Sequence, residues 1–202
     1  MAQCKKENIR EAILAEALDS FAENGYESTT IKDIAQKCKI STGNVYKYFK
    51  SKAEIYETLI TDDFLEQLHD LIATRSYHHA EALKNELSND VMRWFDKEYY
   101  PFFIKNAKQC IILKNHYLGK EYDERVSLIV KNVLMHKKRA MFQTNQPLPP
   151  HFLNISAMLI ASNVQMYVQV LEMNKSDEEK TELLKMIDKY HVGGTATIFK
   201  EN

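Results

Sequence analysis

The chain has 202 residues, 45% of them hydrophobic and 27% charged, with a formal net charge of −1. That balance suits a globular protein able to bury a core of its own and excludes a disordered or collagen-like chain. With no apolar run of about 18 residues, no signal-peptide core in MAQCKKENIREAI, and only Cys4, Cys38 and Cys110, widely spaced, for thiols, the expectation is a cytoplasmic protein without membrane span, disulfide framework, cofactor or zinc site.

Five glycines and four prolines leave little for β-turns, so the fold class read from the sequence is all-α, with about nine helices. The first runs from about Lys6 to Asn24, where Ile9, Ile13, Leu14, Ala17, Leu18 and Phe21 recur at helical spacing, and Gly25 stops it. Gly119, Gly193 and Gly194 also fall between helical patterns. The second helix follows Thr30, a good N-cap, with Asp33 at the positive end of the helix dipole, and ends near Lys37 or Cys38. A short third helix follows Ser41 and turns Val45 and Phe49 inward. A fourth starts at Ser51, where Ser51-Lys52-Ala53-Glu54 reads as a complete capping box, and continues towards Ile72.

The remainder reads as longer helices: Ala80 to Tyr99, ended before Pro101; Phe102 to Leu118, ended by Gly119; and Tyr122 to Phe142. QPLPP at 146–150 is a rigid break. Two more follow, about His151 to Met173 and Asp177 to Tyr190, the last with a capping box from Ser176 to Glu179.

The chemistry concentrates in KISTGNVYKYFKSKAE, residues 39–54. Residues 1–60 carry nine Lys+Arg and nine Asp+Glu, yet Lys37, Lys39, Lys47, Lys50 and Lys52 cluster with no acid between Asp33 and Glu54. Local basic charge in a neutral chain is the footprint of a polyanion partner, or simply a solvated face. Two short helices joined by a tight turn and braced by a longer one describe a helix-turn-helix, whose second helix enters a DNA major groove. Burying Val45 and Phe49 leaves Thr42, Asn44 and Lys47 outward, flanked by Tyr46 and Tyr48. Thr, Asn and Lys bond base edges or phosphate, and tyrosine hydroxyls bond phosphate oxygens. Tyr48 divides between contact and packing support. Gly43 permits close approach of the backbone, and Lys52 starts a helix whose free N–H groups suit a phosphate.

Ile13 through Phe21, Gly25, Thr29-Thr30, Ile34-Ala35 and above all STGNVYKYFKSKAEIY resemble the TetR family of bacterial transcriptional regulators. The resemblance covers roughly residues 6 to 60. It implies a helix-turn-helix DNA-binding domain over residues 1–52, followed by a helical effector-binding and dimerisation domain over 53–202. On the matching positions the DNA-binding set is Thr30, Lys32, Lys39, Thr42, Gly43, Asn44, Tyr46, Lys47, Tyr48 and Lys52. Lys39 stands where the family usually has glycine in the turn; at positive φ it would cost about 1–2 kcal/mol.

Beyond residue 60 the resemblance is one of architecture. An effector pocket among the central helices would draw on Trp94, Phe95, Tyr99, Phe103, His116, Tyr117, Met141, Met166 and Tyr167, with Met158 nearby; an aromatic stripe is equally a core. Its apolar character favours a hydrophobic or aromatic small molecule. The two C-terminal helices would pair with their twins in a homodimer through Ala157, Ala161, Ser162, Leu183, Leu184, Ile187 and Tyr190, or serve the intrachain core. No phosphate loop, nucleophile elbow or zincin motif is present, and His78-His79, adjacent on a helix, are poor joint ligands, so an enzyme is not expected. The expected function is a regulator, a repressor released from a palindromic operator by such a molecule. The alternative is a helical interaction protein of the same fold, binding DNA or a protein without an effector.

Overall fold

The computed structural model describes residues 2–82, 89–118, 131, 135, 138 and 151–200, and every regular element among them is helical. Four helices come first: α1 (Ala2–Asn24), α2 (Ile31–Lys37), α3 (Thr42–Val45) and α4 (Lys52–Leu59). Helix α1 starts several residues before the expected Lys6. It ends at Gly25, whose φ of 82° lets its N–H bond the Phe21 carbonyl at 3.0 Å.

The break after α4 corrects the expectation of one helix running from Ser51 towards Ile72. Ile60 leaves the helical region, and the Thr61 hydroxyl accepts the Phe64 N–H at 3.1 Å, opening α5 (Asp62–Ala82). A threonine cap followed by two aspartates in the first turn is a helix start, which outweighs the continuous apolar pattern.

The body continues with α6 (Asn89–Trp94), a π-helical turn at Phe95–Tyr99, α7 (Tyr100–Lys105), α8 (Ala107–Leu118), α9 (Phe152–Glu172) and α10 (Asp177–Lys200). Pro101 does not end a helix as expected. It sits in the first turn of α7, directly after the π turn. The wider turn there makes room for a ring that would otherwise meet the carbonyl four residues back, and the missing N–H falls where a first turn needs none. The expected helix from Phe102 is instead interrupted at Asn106 (φ −107°, ψ 28°), whose amide bonds the Phe102 carbonyl at 2.8 Å. Helix α10 passes through Gly193 and Gly194, which therefore lie inside a helix and not between two. Its capping box is complete: Ser176 Oγ accepts the Glu179 N–H at 3.2 Å, and Glu179 Oε2 accepts the Ser176 N–H at 3.0 Å. Of the helix expected over Tyr122–Phe142, Lys131, Met135 and Lys138 are helical; the rest, with Gly119 and QPLPP, lies outside the described residues.

Helix α1 packs on α2, α4 and α8, α9 packs between α8 and α10, and α10 also meets α5 and α7. The N-terminal unit closes over Ile13, Phe21, Ile34, Val45, Phe49 and Ile55, each at most 1% exposed. The body has a polar centre. Arg75 of α5 donates to Asp188 Oδ1 of α10 through Nη2, and through Nε at 3.0 Å, while the Tyr167 hydroxyl donates to Asp188 Oδ2 at 2.7 Å. Burial works against the charge on Arg75, but Tyr99 and Asp188 beside it more than offset that and keep the guanidinium protonated. Burial also pushes the hydroxyls of Tyr99, Tyr100 and Tyr167 above the ordinary tyrosine range.

Removing one partner of such a pair strands a buried charge. Asp188→Ala is expected to cost about 3–5 kcal/mol, read as a lower urea midpoint. A loss within about 0.5 kcal/mol, the ordinary range for a surface change, would show that the pair does not hold α5 to α10.

Candidate nucleic-acid interface

The interface is built from two turns and two caps. Helix α2 begins on a reciprocal box: the Thr30 hydroxyl accepts the Asp33 N–H at 3.2 Å, and Asp33 Oδ2 accepts the Thr30 N–H at 2.9 Å. Hydrogen bonds from the Thr30 hydroxyl and then the Thr30 N–H hold the Asp33 carboxyl below the usual carboxylate range. Helix α2 ends with Lys39 at φ 55°. The Lys39 N–H bonds the Gln36 carbonyl and the Ile40 N–H bonds the Ala35 carbonyl, both at 3.0 Å. That pair of bonds is the Schellman closure, with lysine in the left-handed position that glycine usually fills. The turn therefore keeps its ordinary geometry and carries the strain.

Ser41 then caps α3, accepting the Asn44 N–H at 3.2 Å. The helix has one regular turn, Thr42–Val45, with turns following through Tyr48. Val45 and Phe49 are buried as expected, and Arg10 of α1 lies 5.0 Å from the Phe49 ring centroid. Thr42, Gly43 and Lys47 are exposed, Asn44 is half-buried and Tyr46 is 54% exposed. Tyr48 is half-buried and packs against the core. Thr30, Lys32 and Lys39 are exposed on the α2 side. A Cβ built on Gly43 meets nothing nearer than Ser41 Oγ at 4.0 Å. The fold does not need glycine there, so what the absent side chain leaves open is the outer surface. Lys37 is held by Glu23 at 3.4 Å.

Two details differ from the sequence reading. Glu54 accepts the Lys50 N–H at 2.6 Å, one residue before the Ser51 cap, so the expected box at Ser51 is closed only on the serine side, where Ser51 Oγ accepts the Glu54 N–H at 3.1 Å. The Lys52 ammonium, expected to reach outward to phosphate, points instead into the domain. It donates to the carbonyls of Tyr26 at 2.7 Å, Thr29 at 3.0 Å and Glu27 at 3.4 Å.

In the body, Phe95, Tyr99, Phe103 and Tyr167 are buried and meet edge-on or tilted, with centroid separations of 5.2 Å for Phe95–Tyr99, 5.0 Å for Tyr99–Phe103 and 5.2 Å for Phe103–Tyr167. Trp94 is half-buried beside Phe95 and Tyr99, and Met166 is half-buried. These rings form a common aromatic core around Asp188. Met158 does not join it and is 72% exposed. The side chains of His116 and Tyr117, and all of Met141, lie outside what the structure describes, as does the side chain of Ala157. Of the residues expected at a dimer face, Tyr190 is 74% exposed and Ser162 is exposed, while Ala161, Leu183 and Ile187 are half-buried. Leu184 is 0% exposed within one chain. It serves the intrachain core, not a surface that a second copy could cover. Sequence reasoning passed over Arg75 and Asp188. Their signal was a charged residue on an otherwise apolar helix face: Arg75 follows Leu71 and Ile72, and Asp188 follows Leu184 at a four-residue step. Among the described residues no group of three or more His, Cys, Asp or Glu could hold a metal ion.

Residues 13–59 match the family model described as bacterial regulatory proteins, tetR family. The HTH-type transcriptional regulator HbdR of Aromatoleum sp. (strain CIB) is 45% identical over 49 residues, 24% of this chain and 21% of that protein. The biofilm operon icaADBC HTH-type negative transcriptional regulator IcaR of Staphylococcus aureus (strain Newman) is 31% identical over 77 residues, 37% of this chain and 41% of that protein. The matched segment thus spans less than half of these relatives. Likeness of fold extends further. The solved TetR-family transcriptional regulator from Bordetella parapertussis 12822 superposes with a TM-score of 0.53 over 90% of this chain and 94% of that one, at 19% identity. A HlyIIR mutant protein superposes at 0.51 over 91% and 96%, at 18% identity.

Strain at Lys39 is measurable. Lys39→Gly is expected to raise stability by about 1 kcal/mol, since glycine adopts the left-handed conformation without the Cβ penalty, read from the urea midpoint. A lower midpoint would show that the lysine side chain gains more from the turn than its backbone loses.

Proposed function

We propose that this chain, which belongs to the TetR family of bacterial regulatory proteins, is a sequence-specific DNA-binding transcriptional regulator. In this reading it acts as a homodimer on a palindromic operator and is a repressor released by a hydrophobic or aromatic small molecule. The observation that carries it is the outer surface of residues 42–47: two polar side chains able to bond base edges, a glycine the fold does not require, a lysine and an exposed tyrosine, all presented by a capped helix over a buried base.

In this reading Thr42, Asn44 and Lys47 meet base edges or nearby phosphates. Tyr46, Tyr48, Thr30, Lys32 and Lys39 position the unit on the backbone. The reading unit ends at the Ile60–Thr61 break and not at residue 52, because α4 packs on α1 and supplies Ile55 and Tyr56 to the same core. Exposed Ile155, Met158, Met186 and Tyr190 on α9 and α10 supply apolar surface for a second copy, which would double a small footprint over two half-sites about 34–36 Å apart. IcaR is named a negative regulator, which favours repression. The apolar effector is inferred from the aromatic and methionine content of the body's central helices.

Two variants test the assignment on a mixed-sequence duplex. Gly43→Ala should fold with an unchanged melting temperature but bind at least about tenfold more weakly, a loss of about 1.4 kcal/mol. Lys47→Ala should bind more weakly and lower the slope of log affinity against log salt by about 0.9. Unchanged affinity and slope in both variants would remove this helix from the interface.

A further inference from the structure

We propose that Lys52 is a positioning residue of the DNA-binding unit: its ammonium is a tethered cation that locks the α1–α2 loop to the start of α4, and it does not contact phosphate. This rests on the DNA-binding reading for its consequence, and on geometry alone for the lock.

An ammonium has three N–H donors and no acceptor. Those of Lys52 meet three carbonyls of one short loop, at 2.7 Å (Tyr26), 3.0 Å (Thr29) and 3.4 Å (Glu27). The same nitrogen lies 4.2 Å from the centroid of the Tyr26 ring, within cation–π range. An outside anion would have to compete with these carbonyls for the ammonium. The carbonyls converge because the loop is shaped for it. Gly25 turns the chain with φ 82°, and the single hydroxyl proton of buried Thr29 is shared between the carbonyls of Gly25 at 2.8 Å and Ser20 at 3.1 Å. Tyr26 is braced from both sides: its ring centroid is 5.4 Å from Phe21 of α1 and 5.2 Å from Tyr56 of α4.

Lys52 is the first residue of α4, three positions after buried Phe49. Holding it to the loop after α1 fixes where the recognition segment leaves the groove side. The lock thus sets the tilt of the outer surface of residues 42–47 against α1. A guanidinium is planar and forked, so arginine cannot reproduce three bonds converging on one nitrogen. At a phosphate contact, by contrast, arginine serves as well as lysine or better.

The test compares the full chain with Lys52→Met and Lys52→Arg. Melting temperatures are measured first, then affinity for a mixed-sequence duplex at several salt concentrations, well below the lowest melting temperature. The lock predicts a lower melting temperature and at least about tenfold weaker binding in Lys52→Met, with the salt slope of the wild type, and no rescue by arginine. A slope lower by about 0.9 in Lys52→Met, with affinity restored in Lys52→Arg, would make Lys52 a phosphate contact and overturn the proposal. A lowered melting temperature with wild-type affinity would reduce Lys52 to a stabilising residue and equally overturn its positioning role. If the wild type itself binds no duplex, the DNA-binding reading fails and the positioning role falls with it; the fall in melting temperature then reports on the lock alone.

Discussion

The burial of Val45 and Phe49 is the constraint on which the reading unit depends. Helix α3 has only four regular residues, far too few to be stable alone. Its orientation comes from two side chains one turn apart, pressed into a core with Ile13, Phe21 and Ile34. Once they are inside, Thr42, Gly43, Tyr46 and Lys47 have nowhere to go but outward. The Ser41 cap and the left-handed Lys39 fix how the chain enters this helix, and the Lys52 carbonyl cage fixes how it leaves. Each device is small, and together they convert a marginal helix into a rigid surface.

The same surface is joined to the body in two ways among the described residues. Helix α5 follows α4 directly after the Ile60–Thr61 break and carries Arg75 to Asp188 on α10. Helix α1 lies against α8, where Lys108 pairs with Asp19. A buried ion pair rarely adds net stability, because desolvation takes back most of the attraction. What it does impose is register: α5 and α10 can slide past one another only by stranding a charge. Beyond Arg75, the buried carboxylate accepts a hydrogen bond from the Tyr167 hydroxyl. In the proposed reading, a molecule bound in the body would act on the N-terminal unit through helices held in register by these polar contacts.

Much of this was legible in the residues. The apolar steps from Ile9 to Phe21, the glycine at 25, the Thr30 cap, the short helix after Ser41 and the Ser176 box are local rules acting over a few residues, and each held. The outward set at 42–47 followed from one four-residue step. The Ile60–Thr61 break and the half-closed Ser51 box were missed on local caps; the other misses have a tertiary cause. Pro101 reads as a helix stop, but a π turn before it accommodates the ring. Gly193 and Gly194 read as breakers, but α10 runs through them. Lys52 reads as a phosphate ligand because the loop carbonyls that capture it lie more than twenty positions away in sequence, where no local pattern could place them. The Arg75–Asp188 pair is 113 positions apart; sequence shows only that each interrupts an apolar face.

The central claim is that residues 42–47 read DNA sequence. Selection of bound duplexes from a random-sequence pool at two salt concentrations tests it most directly. The account predicts enrichment of a palindrome, with half-sites separated by about one helical turn and affinity falling steeply with salt. Binding without enrichment of any sequence, or no binding at low salt, would contradict it.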